Sequence, residues 1–578
     1  MTQETAPAAE LDDAQRAALD ADVDVLQQGS RTWARLTVGQ RVTLLRALRS
    51  SVAAAAEDWA NTAADSKGLD RRHPLRGEEW LSGPYSVLGA LDAYIDTLAK
   101  LSAGRSPLDG VTLGRAPGDR TRVAAFPLTG LDRFLLAGFS GEVWLRPGVT
   151  ASTARANAGL AQRSDAPGGV GLVLGAGNVT AIPVLDVLYE LLAHNRVALL
   201  KVNPTQDALV AVYERALAPL IAPGFLRIVR GGAAVGSYLT GHRDLMHVHI
   251  TGSAATFDAI VWGQQPQAAA RRRENRPLLT KPITAELGGV SPIIVVPGEW
   301  SDADTAFQAE HVATMRLQNC GHNCIAGQVV IISSDWPQAE QFRTALRRAY
   351  AAAPERPIWY PGSAACMRRA AEDYPDALVL ADRLLIEIGD GADATALQST
   401  EYFAPVLGVV ELPGTGQAFL DAAIAHANDE LQGTLGANLI IDPTTEKSLG
   451  RGFERAIAEL RYGSIAINAW TAFGFITPTL TWGAFPGSTL DDVGSGIGVV
   501  HNALLLDDVE RSVLRGPFRP FPRSLPLLNG GGRVTILPTP PWFVSSRTGS
   551  AVSEGLTRFR AHGGIPVLLR TLLRALRA

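Results

Sequence analysis

The sequence predicts an α/β protein built around a parallel sheet. Short apolar runs typical of strands alternate with segments of helical periodicity, and only short loops separate them. The run 170–174 is one strand candidate, and apolar residues recur at three- and four-residue spacing from Val184 to Leu192. This spacing indicates a helix that packs by one face. Repeated βαβ units are therefore the architecture that the pattern favours.

The remaining elements follow the same alternation along the chain. Residues 10–100 show helical periodicity with few strand-like runs, and the α/β texture begins near residue 170. The charged insert 271–276 is interpreted as a solvated loop, with a phosphate contact as the alternative. Further strands are predicted at 196–201, 226–229, 246–250, 291–296, 328–333 and 435–441, and further helices at 208–220, 304–318, 337–353 and 416–430.

Composition excludes several classes of protein. With 578 residues, of which 46% are hydrophobic, the chain can bury large cores and is neither disordered nor collagen-like. A net charge of −4 gives no basic field, so we expect no nucleic-acid partner. Three cysteines cannot build a disulfide framework and suit a reducing compartment. The first thirty residues lack an apolar core and no apolar run reaches about 18 residues, so we expect a cytoplasmic protein without a transmembrane segment.

Beyond Phe518 the composition changes. Prolines and glycines become frequent, as at 530–532 and 540–541, which is typical of a linker or a wrapping arm. The chain ends in a short basic amphipathic segment, 565–577. This segment can dock on the protein's own oligomer or contact a membrane surface peripherally. Docking is favoured, because a short helix with few cations binds lipid weakly.

Polar residues follow three of the strand candidates at their carboxyl ends. Asn178 follows the first strand, Lys201 ends the next one, and Thr251, Gly252 and Ser253 follow a later one. Open parallel sheets bind ligands at this edge. Each position alone is better explained as an ordinary loop or cap residue, but their shared edge favours a cofactor site. No Gly-x-Gly-x-x-Gly fingerprint follows the first strand, so an ordinary dinucleotide turn is not expected.

Two groups suited to covalent chemistry lie downstream. Glu286 stands among apolar residues and glycines, and Cys324 ends the loop Asn-Cys-Gly-His-Asn-Cys between a helix and a strand candidate. A nucleophilic cysteine needs such an accessible loop, whereas a lone cysteine is more often a buried apolar residue. The loop also holds Cys320 and His322, but without a second group of ligands we expect no metal. Cys366 has no motif around it and is interpreted as structural.

Taken together, these motifs resemble those of the aldehyde dehydrogenase superfamily. Each motif is weak alone, but their order, and the spacing from Asn178 to Lys201, are similar to the family pattern. The resemblance runs from about residue 168 to 499. The motifs are Asn178, Lys201, Thr251-Gly-Ser253, Glu286-Leu-Gly-Gly289, Gly321-x-x-Cys324, Glu401-Tyr-Phe-Ala-Pro405, Asn468 and Gly483-Ala-Phe-Pro-Gly487.

The resemblance implies a role for each of these residues. Cys324 would attack an aldehyde as a thiolate, and Asn178 would hold the developing oxyanion together with a backbone N–H. Glu286 would activate water to release a carboxylic acid. The implied cofactor is NAD or NADP. The implied cofactor-binding residues are Lys201, Thr251, Gly252, Ser253, Glu401 and Phe403.

The resemblance also implies an organisation and an assembly. We expect an aldehyde-dehydrogenase-like fold, with a Rossmann-like cofactor domain in 1–285 whose oligomerisation strands lie within 120–165. An α/β catalytic domain would occupy 286–480, and 481–517 would return to the cofactor domain or a small oligomerisation element. Residues 518–578 would form a C-terminal extension. The implied partners are a small-molecule aldehyde and further copies of the chain, as a homodimer or homotetramer.

Several features depart from the family pattern, among them Phe257 in place of the family's second glycine after Gly252 and a longer interval from Gly252 to Glu286. Pro204 stands three residues after Lys201, where NAD-preferring members often carry Glu, so the choice between NAD and NADP stays open. His322 stands where Gln is common. It either tunes the pKa of the cysteine thiol or is a hydrogen-bonded structural histidine, and the second interpretation is favoured.

Two other functions are weighed beside hydrolytic aldehyde oxidation. In an acylating relative, coenzyme A rather than water resolves the thioester, or the enzyme reduces acyl-CoA in reverse, and the Gly-Asn-Val segment 177–179 mildly favours this. Glu286 favours hydrolysis, because an acylating enzyme needs no base for water. A non-catalytic protein on the same fold is the remaining hypothesis, and the presence of both Cys324 and Glu286 speaks against it.

Overall fold

The computed structural model describes residues 10–163, 168–389 and 392–577. Residues 1–9 of the predicted cofactor domain, and 164–165 of the predicted oligomerisation segment, lie outside the described residues. The strands are β1 (Leu113–Ala116), β2 (Arg120–Phe126), β3 (Ser140–Leu145), β4 (Gly169–Leu174), β5 (Arg196–Lys201), β6 (Leu226–Val229), β7 (His247–Gly252), β8 (Ile283–Leu287), β9 (Ser291–Val295), β10 (Gly327–Ser333), β11 (Leu378–Leu380), β12 (Arg383–Glu387), β13 (Val406–Leu412), β14 (Gly436–Ile440), β15 (Ser464–Ile467), β16 (Trp482–Gly483), β17 (Gly496–Ile497), β18 (Val499–Val500) and β19 (Val509–Arg515).

The helices lie between and around these strands. They are α1 (Asp13–Arg35), α2 (Val38–Ser66), α3 (Glu78–Trp80), α4 (Ser86–Ser102), α5 (Gly130–Leu135), α6 (Ala151–Asn157), α7 (Ile182–His194), α8 (Val210–Ala216), α9 (Ala218–Ile221), α10 (Ala233–Gly241), α11 (Ala254–Val261), α12 (Gln267–Arg273), α13 (Asp302–Leu317), α14 (Ala339–Ala352), α15 (Ser363–Asp373), α16 (Thr395–Ser399), α17 (Gly416–Asp429), α18 (Pro443–Leu449), α19 (Arg451–Glu459), α20 (Thr471–Phe475), α21 (Gly549–His562) and α22 (Ile565–Ala575). Short 3-10 or π turns occupy 74–77, 81–85, 160–163, 204–209 and 318–321.

The smaller sheet confirms the predicted α/β class. Its strand order is β17–β8–β7–β4–β5–β6, and β4 to β8 run parallel to one another. The chain leaves β4 for β5 on one side and later returns as β7 on the other, which creates a topological switch point at β4. Asn195 turns the chain from α7 into β5 with a φ of 55°, a left-handed conformation that asparagine tolerates.

The larger sheet has eleven strands in the order β1–β2–β3–β19–β15–β14–β9–β10–β13–β12–β11. The strands from β19 to β12 pair in parallel, while β1, β2 and β3 form an antiparallel edge. Strand β3 pairs with β19 of the same chain, so residues 113–145 extend the sheet that β9 to β15 begin. That these strands also contact a second copy of the chain stays a prediction.

One local prediction is wrong. The insert 271–276, interpreted as a solvated loop, lies partly in α12, which spans Gln267–Arg273. The helix forms because three arginines fall in its last turn, where cations favour the helix dipole. Arg272 also pairs with Asp258 of α11.

The C-terminal extension packs on the rest of the chain. Phe518, Phe543 and Val544 are buried, and α21 packs against α2 and the turns 74–77 and 81–85. Helix α22 returns along α21, where Gly555 allows the close approach of Thr571. The terminal segment therefore packs on its own chain, whereas its predicted docking on a second copy, and the alternative of a membrane contact, stay predictions. Its outer face exposes Ile565, Leu569, Leu573 and Leu576. Among the described residues, no helix is both long enough and apolar enough to cross a bilayer.

Candidate active site

Two cavities meet at Cys324 and Asn178. One, here called the chamber, is lined by Leu81, Ser82, Asn178, Val179, Ile182, Gln318, Asn323, Cys324, Ile325, Trp470, Ala472, Phe473, Phe475, Ile476, Trp482 and Trp542. The other, here called the polar cavity, is lined by Gly177, Asn178, Thr251, Gly252, Ser253, Glu286, Leu287, Gly288, Cys324, Tyr360, Pro361, Gly362, Ser363, Cys366, Glu401, Tyr402 and Phe403. The thiol therefore faces an apolar space on one side and a polar space on the other.

The loop that carries Cys324 has an unusual backbone. Three consecutive residues after α13 have positive φ: Asn319 at 53°, Cys320 at 58° and Gly321 at 74°. A Cβ at Gly321 would lie 2.6 Å from the carbonyl oxygen of Ala404, so no larger residue fits there. Non-glycine residues in this region store strain that the surrounding structure must hold. The turn brings Cys324 to the start of β10, facing the chamber.

The thiol of Cys324 has a raised pKa. Burial is the main cause, and the nearby carboxylates of Glu286 and Glu401 act in the same direction. Backbone hydrogen bonds from Cys324 and Ile325 oppose the shift. The thiol is therefore protonated at neutral pH, whereas the sequence analysis predicts a reacting thiolate, so the thiol must lose its proton when it reacts.

Glu286 lies on β8, directly opposite Thr251 of β7. Its side chain is buried, and its Oε1 has no hydrogen-bond partner among the described residues. Burial raises its pKa well above the usual range, and the negative charge of Asp186 adds to this effect. A hydrogen bond with Trp482 acts the other way. A carboxylate with a raised pKa is suited to accept a proton near neutral pH.

Asn178 stands where β4 leads toward α7, at the switch point of the smaller sheet. Its Nδ2 donates to the carbonyl oxygen of His322 at 2.9 Å. The carbonyl oxygen of Asn178 accepts from Nζ of Lys67 at 2.9 Å and from Nδ2 of Asn319 at 3.1 Å. A carboxamide nitrogen carries two N–H groups, so one of them is left for a group bound beside Cys324.

The residues at the end of β7, together with Ser253 after it, line the polar cavity. Ser253 caps α11, accepting a hydrogen bond from the backbone N–H of Thr256 at 3.2 Å. Thr251 donates from Oγ1 to Asp186 at 3.1 Å, and Gly252 is exposed between them. A helix N-terminus that opens onto a cavity favours an anionic group there.

Glu401 and Phe403 close the opposite side of the polar cavity. Burial raises the pKa of Glu401 to about 8, while the charge of Arg316 and a backbone hydrogen bond at Gly289 oppose the shift. Its Oε1 is buried and has no partner among the described residues. A Cβ at Gly288 would collide with this carboxylate, so glycine is needed there. The ring of Phe403 packs on Tyr360 with centroids 4.9 Å apart.

Lys201 is the predicted site residue that the structure keeps apart from both cavities. It ends β5 and is half-buried. Burial lowers its pKa, and the neighbouring carboxylate of Asp207 acts in the opposite direction. Oδ1 of Asp207 is buried without a partner in the described part of the chain.

His322 is a structural histidine, as favoured from the sequence. It is buried, and its Nε2 lies 3.0 Å from Oγ of Ser363. Burial lowers its pKa to about 2, and the positive charges of Arg356, Lys67 and Arg316 add to the effect. The ring therefore stays neutral and fixes the loop through packing and one hydrogen bond.

Sequence reasoning missed the supports beneath the site. Nζ of Lys67 pairs with Glu79 at 2.8 Å and also donates to Oδ1 of Asn319 at 3.2 Å, and all three groups are buried. Glu78 accepts from the backbone N–H of Asn319 at 3.0 Å and pairs with Arg356. The scarcity of lysine, five residues in the chain, is the one signal that could have drawn attention to Lys67.

Two further groups were also missed. Asp186 lies next to Glu286 and is held by two histidines, His249 at 3.5 Å and His501 at 3.3 Å. Cys366, interpreted as structural, is half-buried and lines the polar cavity. Neither group belongs to a motif, so only the fold reveals them.

Comparison with known proteins supports the resemblance. Residues 146–355 match the model of the aldehyde dehydrogenase family. A curated relative, 4-trimethylaminobutyraldehyde dehydrogenase of Bos taurus, is 32% identical over 127 residues, which are 22% of this chain and 22% of the relative. The chain thus matches about a fifth of the length of the curated relatives.

Solved structures match over much more of the chain. The NAD-dependent aldehyde dehydrogenase from Sinorhizobium meliloti gives a TM-score of 0.58 at 18% identity, over 88% of each chain. The NADP-dependent glyceraldehyde-3-phosphate dehydrogenase from Bacillus halodurans C-125 gives 0.55 at 17% identity, over 87% of this chain and 91% of that one. The predicted resemblance is confirmed: residues 146–355 match the aldehyde dehydrogenase family model, and 88% of the chain has the fold of a solved aldehyde dehydrogenase.

Proposed function

We propose that the protein oxidises an aldehyde to a carboxylic acid with NAD or NADP, through a covalent intermediate on Cys324. The observation that carries this proposal is the position of Cys324 and Asn178 on the boundary between the chamber and the polar cavity. An aldehyde in the chamber and a cofactor in the polar cavity would then meet at the one thiol that lines both.

The first step is attack by the sulfur of Cys324 on the aldehyde carbon. The thiol proton passes to solvent, an S–C bond forms, and the aldehyde oxygen takes the electron pair of its C=O bond. Asn178 and the backbone N–H of Cys324 stabilise that oxygen, because hydrogen-bond donors fixed at a developing charge are worth more in a water-poor site than in water. The raised pKa of Cys324 places this step under the control of pH.

The polar cavity has groups that fit a nicotinamide dinucleotide. The unpartnered oxygen of Glu401 is an acceptor for ribose hydroxyls, and the N-terminus of α11 at Ser253 suits a pyrophosphate. When bound, the nicotinamide ring supplies the acceptor for the hydride that leaves the carbon held by Cys324. Thr251, Gly252 and Phe403 would complete this site, and Lys201 beside Asp207 would contact the adenine-side ribose.

Glu286 would act as the base in the second half of the reaction. Its carboxylate takes a proton from water, the water oxygen bonds to the thioester carbon, and the S–C bond breaks to return Cys324 and release the acid. The side chain is buried, and its own Oε1 has no hydrogen-bond partner among the described residues. Both observations support a role as a base over a role in an ion pair. The same feature favours hydrolysis over transfer to coenzyme A, which needs no such base.

The test replaces Glu286 by Gln, which keeps the shape of the side chain and removes its basicity. We expect a burst of reduced cofactor equal to the number of active sites, followed by steady turnover about 100-fold or more below wild type. In the wild type, steady turnover should rise with pH, because Cys324 and Glu286 both react in their deprotonated forms and both have raised pKa values.

The control variant is Glu340→Gln, a carboxylate on the exposed face of α14. It should behave as wild type. Steady turnover of Glu286→Gln equal to wild type would remove Glu286 as the base, and a wild-type rate that rises only with added coenzyme A would establish the acylating alternative. No burst with any aldehyde, together with equal reactivity of Cys324 and Cys366 toward a thiol reagent, would favour the non-catalytic protein.

Assembly and location stay predictions. We expect a homodimer or homotetramer in the cytoplasm, and light scattering of the purified protein checks the first part. The walls of the chamber limit the class of aldehyde that can bind.

A further inference from the structure

The chamber is closed by a residue of the C-terminal extension. Trp542 lies 24 residues beyond Phe518, in the segment that the resemblance leaves unassigned, yet its side chain lines the same space as Cys324. Of the described residues that line the chamber, none carries a charged side chain, and five are tryptophan or phenylalanine. Such walls favour an uncharged, apolar group over a carboxylate or a phosphate.

Trp542 also lines a second, larger cavity on the other side. This space lies between the extension and the helices α4 and α5, and Leu131, Leu136, Leu537 and Leu556 contribute to its apolar walls. The volume open to the centre of a water-sized sphere is about 340 Å³ there and about 60 Å³ in the chamber. Because one side chain lines both, Trp542 is a wall that the two spaces share.

The segment around Trp542 is held in place by its neighbours. The indole packs on Phe473 and Phe139, with ring centroids 5.7 Å and 5.9 Å apart. Next to it, the ring of Phe543 stacks on His311 of α13 at 5.0 Å. The backbone N–H of Val544 donates to Thr314 of the same helix at 3.1 Å. The segment around Trp542 is therefore held in place by Phe139, Phe473 and α13.

We infer that Trp542 is a specificity-determining residue that limits the substrate to a short, uncharged, apolar aldehyde. About 60 Å³ gives room for roughly four to six water-sized groups, and the indole blocks any longer chain. If the indole is removed, the chamber joins the second cavity, and longer chains can extend along its leucine side chains. Four charged residues also line that cavity, namely Arg49, Asp92, Asp132 and Arg560. The substrate part of this inference rests on the proposed function, but the wall that Trp542 forms between the two cavities can be tested without turnover.

The first experiment measures kcat/KM for a series of straight-chain aldehydes from propanal to dodecanal. In the wild type we expect the values to stop rising near hexanal. In Trp542→Ala they should continue to rise by about fourfold for each added methylene group that the second cavity buries. The ratio of kcat/KM for decanal to that for propanal should therefore rise at least tenfold over wild type.

The matched control is Leu556→Ala, which enlarges the second cavity without touching the chamber. Its decanal-to-propanal ratio should equal that of wild type. The double variant Trp542→Ala with Leu556→Trp refills the second cavity, and its ratio should fall back toward wild type. A decanal-to-propanal ratio that stays at the wild-type value in Trp542→Ala would overturn the inference. If the alanine variant does not fold, the same ratio is measured in Trp542→Leu, with the same outcomes.

A second experiment needs no turnover. Cys324 is alkylated with iodoacetamides that carry straight chains of increasing length, and the labelling of each cysteine is read by mass spectrometry. Trp542→Ala should raise long-chain relative to short-chain labelling of Cys324 by tenfold or more, while Cys366, which lines only the polar cavity, serves as the internal reference. If long-chain labelling of Cys324 rises in Trp542→Ala but the protein oxidises no aldehyde, the role of Trp542 as a wall is supported and the proposed function is wrong.

A cationic aldehyde is the competing occupant. A trimethylammonium group is attracted to the faces of tryptophan rings, and three tryptophans line the chamber. A wild-type kcat/KM at least tenfold higher for a trimethylammonium aldehyde than for hexanal would overturn the assignment of an apolar substrate.

Discussion

The two cavities that meet at Cys324 are built in opposite ways. The polar cavity gathers residues at the ends of β7 and β8 and just after β4, all in one sheet, and its other side is formed by Cys324 and the segments 360–366 and 401–403. The chamber gathers side chains from 81–82, 178–182, 318–325, 470–482 and Trp542, which lie far apart in sequence. One cavity follows from strand order, and the other from the packing of helices and of the C-terminal extension.

This difference explains which site residues a sequence can reveal. Polar side chains at strand ends share an edge because parallel strands place their carboxyl ends together. Apolar side chains at a chamber wall look like any other core residues in a sequence. The comparison predicts that variants fall into three groups: those that weaken the support of the shared boundary, those that act on both cavities, and those that lie beside Lys201, outside both cavities.

The largest effect is expected at Lys67, beneath the shared boundary. Lys67→Met leaves the carboxylate of Glu79 buried without its partner, and breaking such a pair costs about 3–5 kcal/mol. Denaturant unfolding should show this loss. Lys100→Met removes an ion pair with an exposed Asp96 and should cost about 1 kcal/mol or less.

A double variant separates the buried charge from lost packing. Lys67→Met with Glu79→Leu replaces the buried pair by apolar residues and should recover most of the stability. If Lys67→Met unfolds at the same denaturant concentration as Lys100→Met, the support that we assign to Lys67 does not exist.

A slightly smaller effect is expected at Asn178, which lines both cavities. Asn178→Ala removes one donor from the developing oxyanion and should lower kcat by about 100- to 1,000-fold, or about 2.7–4 kcal/mol. The loss should be equal for short and long aldehydes, in contrast to Trp542→Ala, and the affinity for the cofactor should change little. Steady-state kinetics with propanal and decanal check both points.

The control for this prediction is Asn157→Ala, at an exposed position in α6 outside both cavities. It should match wild type. A loss in Asn178→Ala that appears in KM for the cofactor and leaves kcat unchanged would place Asn178 in cofactor binding alone.

The smallest effect is expected at Asp207, which bears on the cofactor side alone. Its carboxylate lies near Lys201, where we propose that the adenine-side ribose binds, and it would repel a 2′-phosphate. Asp207→Asn should raise the ratio of kcat/KM for NADP to that for NAD by about three- to tenfold. Asp244→Asn removes a carboxylate near another half-buried lysine, Lys281, and should leave the ratio unchanged. An unchanged ratio in Asp207→Asn would show that Asp207 does not face the cofactor.

Much of the fold was predictable because its strands are apolar runs between clear turns. Strands β5 and β6 begin and end at the predicted residues 196–201 and 226–229. The prediction for the charged insert 271–276 was wrong because charge alone does not distinguish a solvated loop from a solvated helix. Part of the insert belongs to the helix α12. The C-terminal extension could be recognised as a change of composition, but not traced.

The site was predictable where residues belong to motifs. Asn178, Thr251, Glu286, Cys324 and Glu401 all line the polar cavity, although their roles stay proposals. The supports were not predictable, because a buried lysine acquires meaning only from its partners. The partners of Lys67 are Glu79, Oδ1 of Asn319 and the backbone oxygen of Asn178, which is 111 residues away.

The sequence by itself determined the α/β class, the order of the motifs and the identity of the one thiol that both cavities share. These features are local: they depend on hydrophobic period, on turn residues and on short motifs. Only the tertiary structure decided that the pKa of the thiol is raised, since that depends on how deeply it and two carboxylates are buried together. The tertiary structure also decided that Trp542 of the C-terminal extension closes the chamber, because an indole becomes a wall only through packing contacts formed between distant parts of the chain.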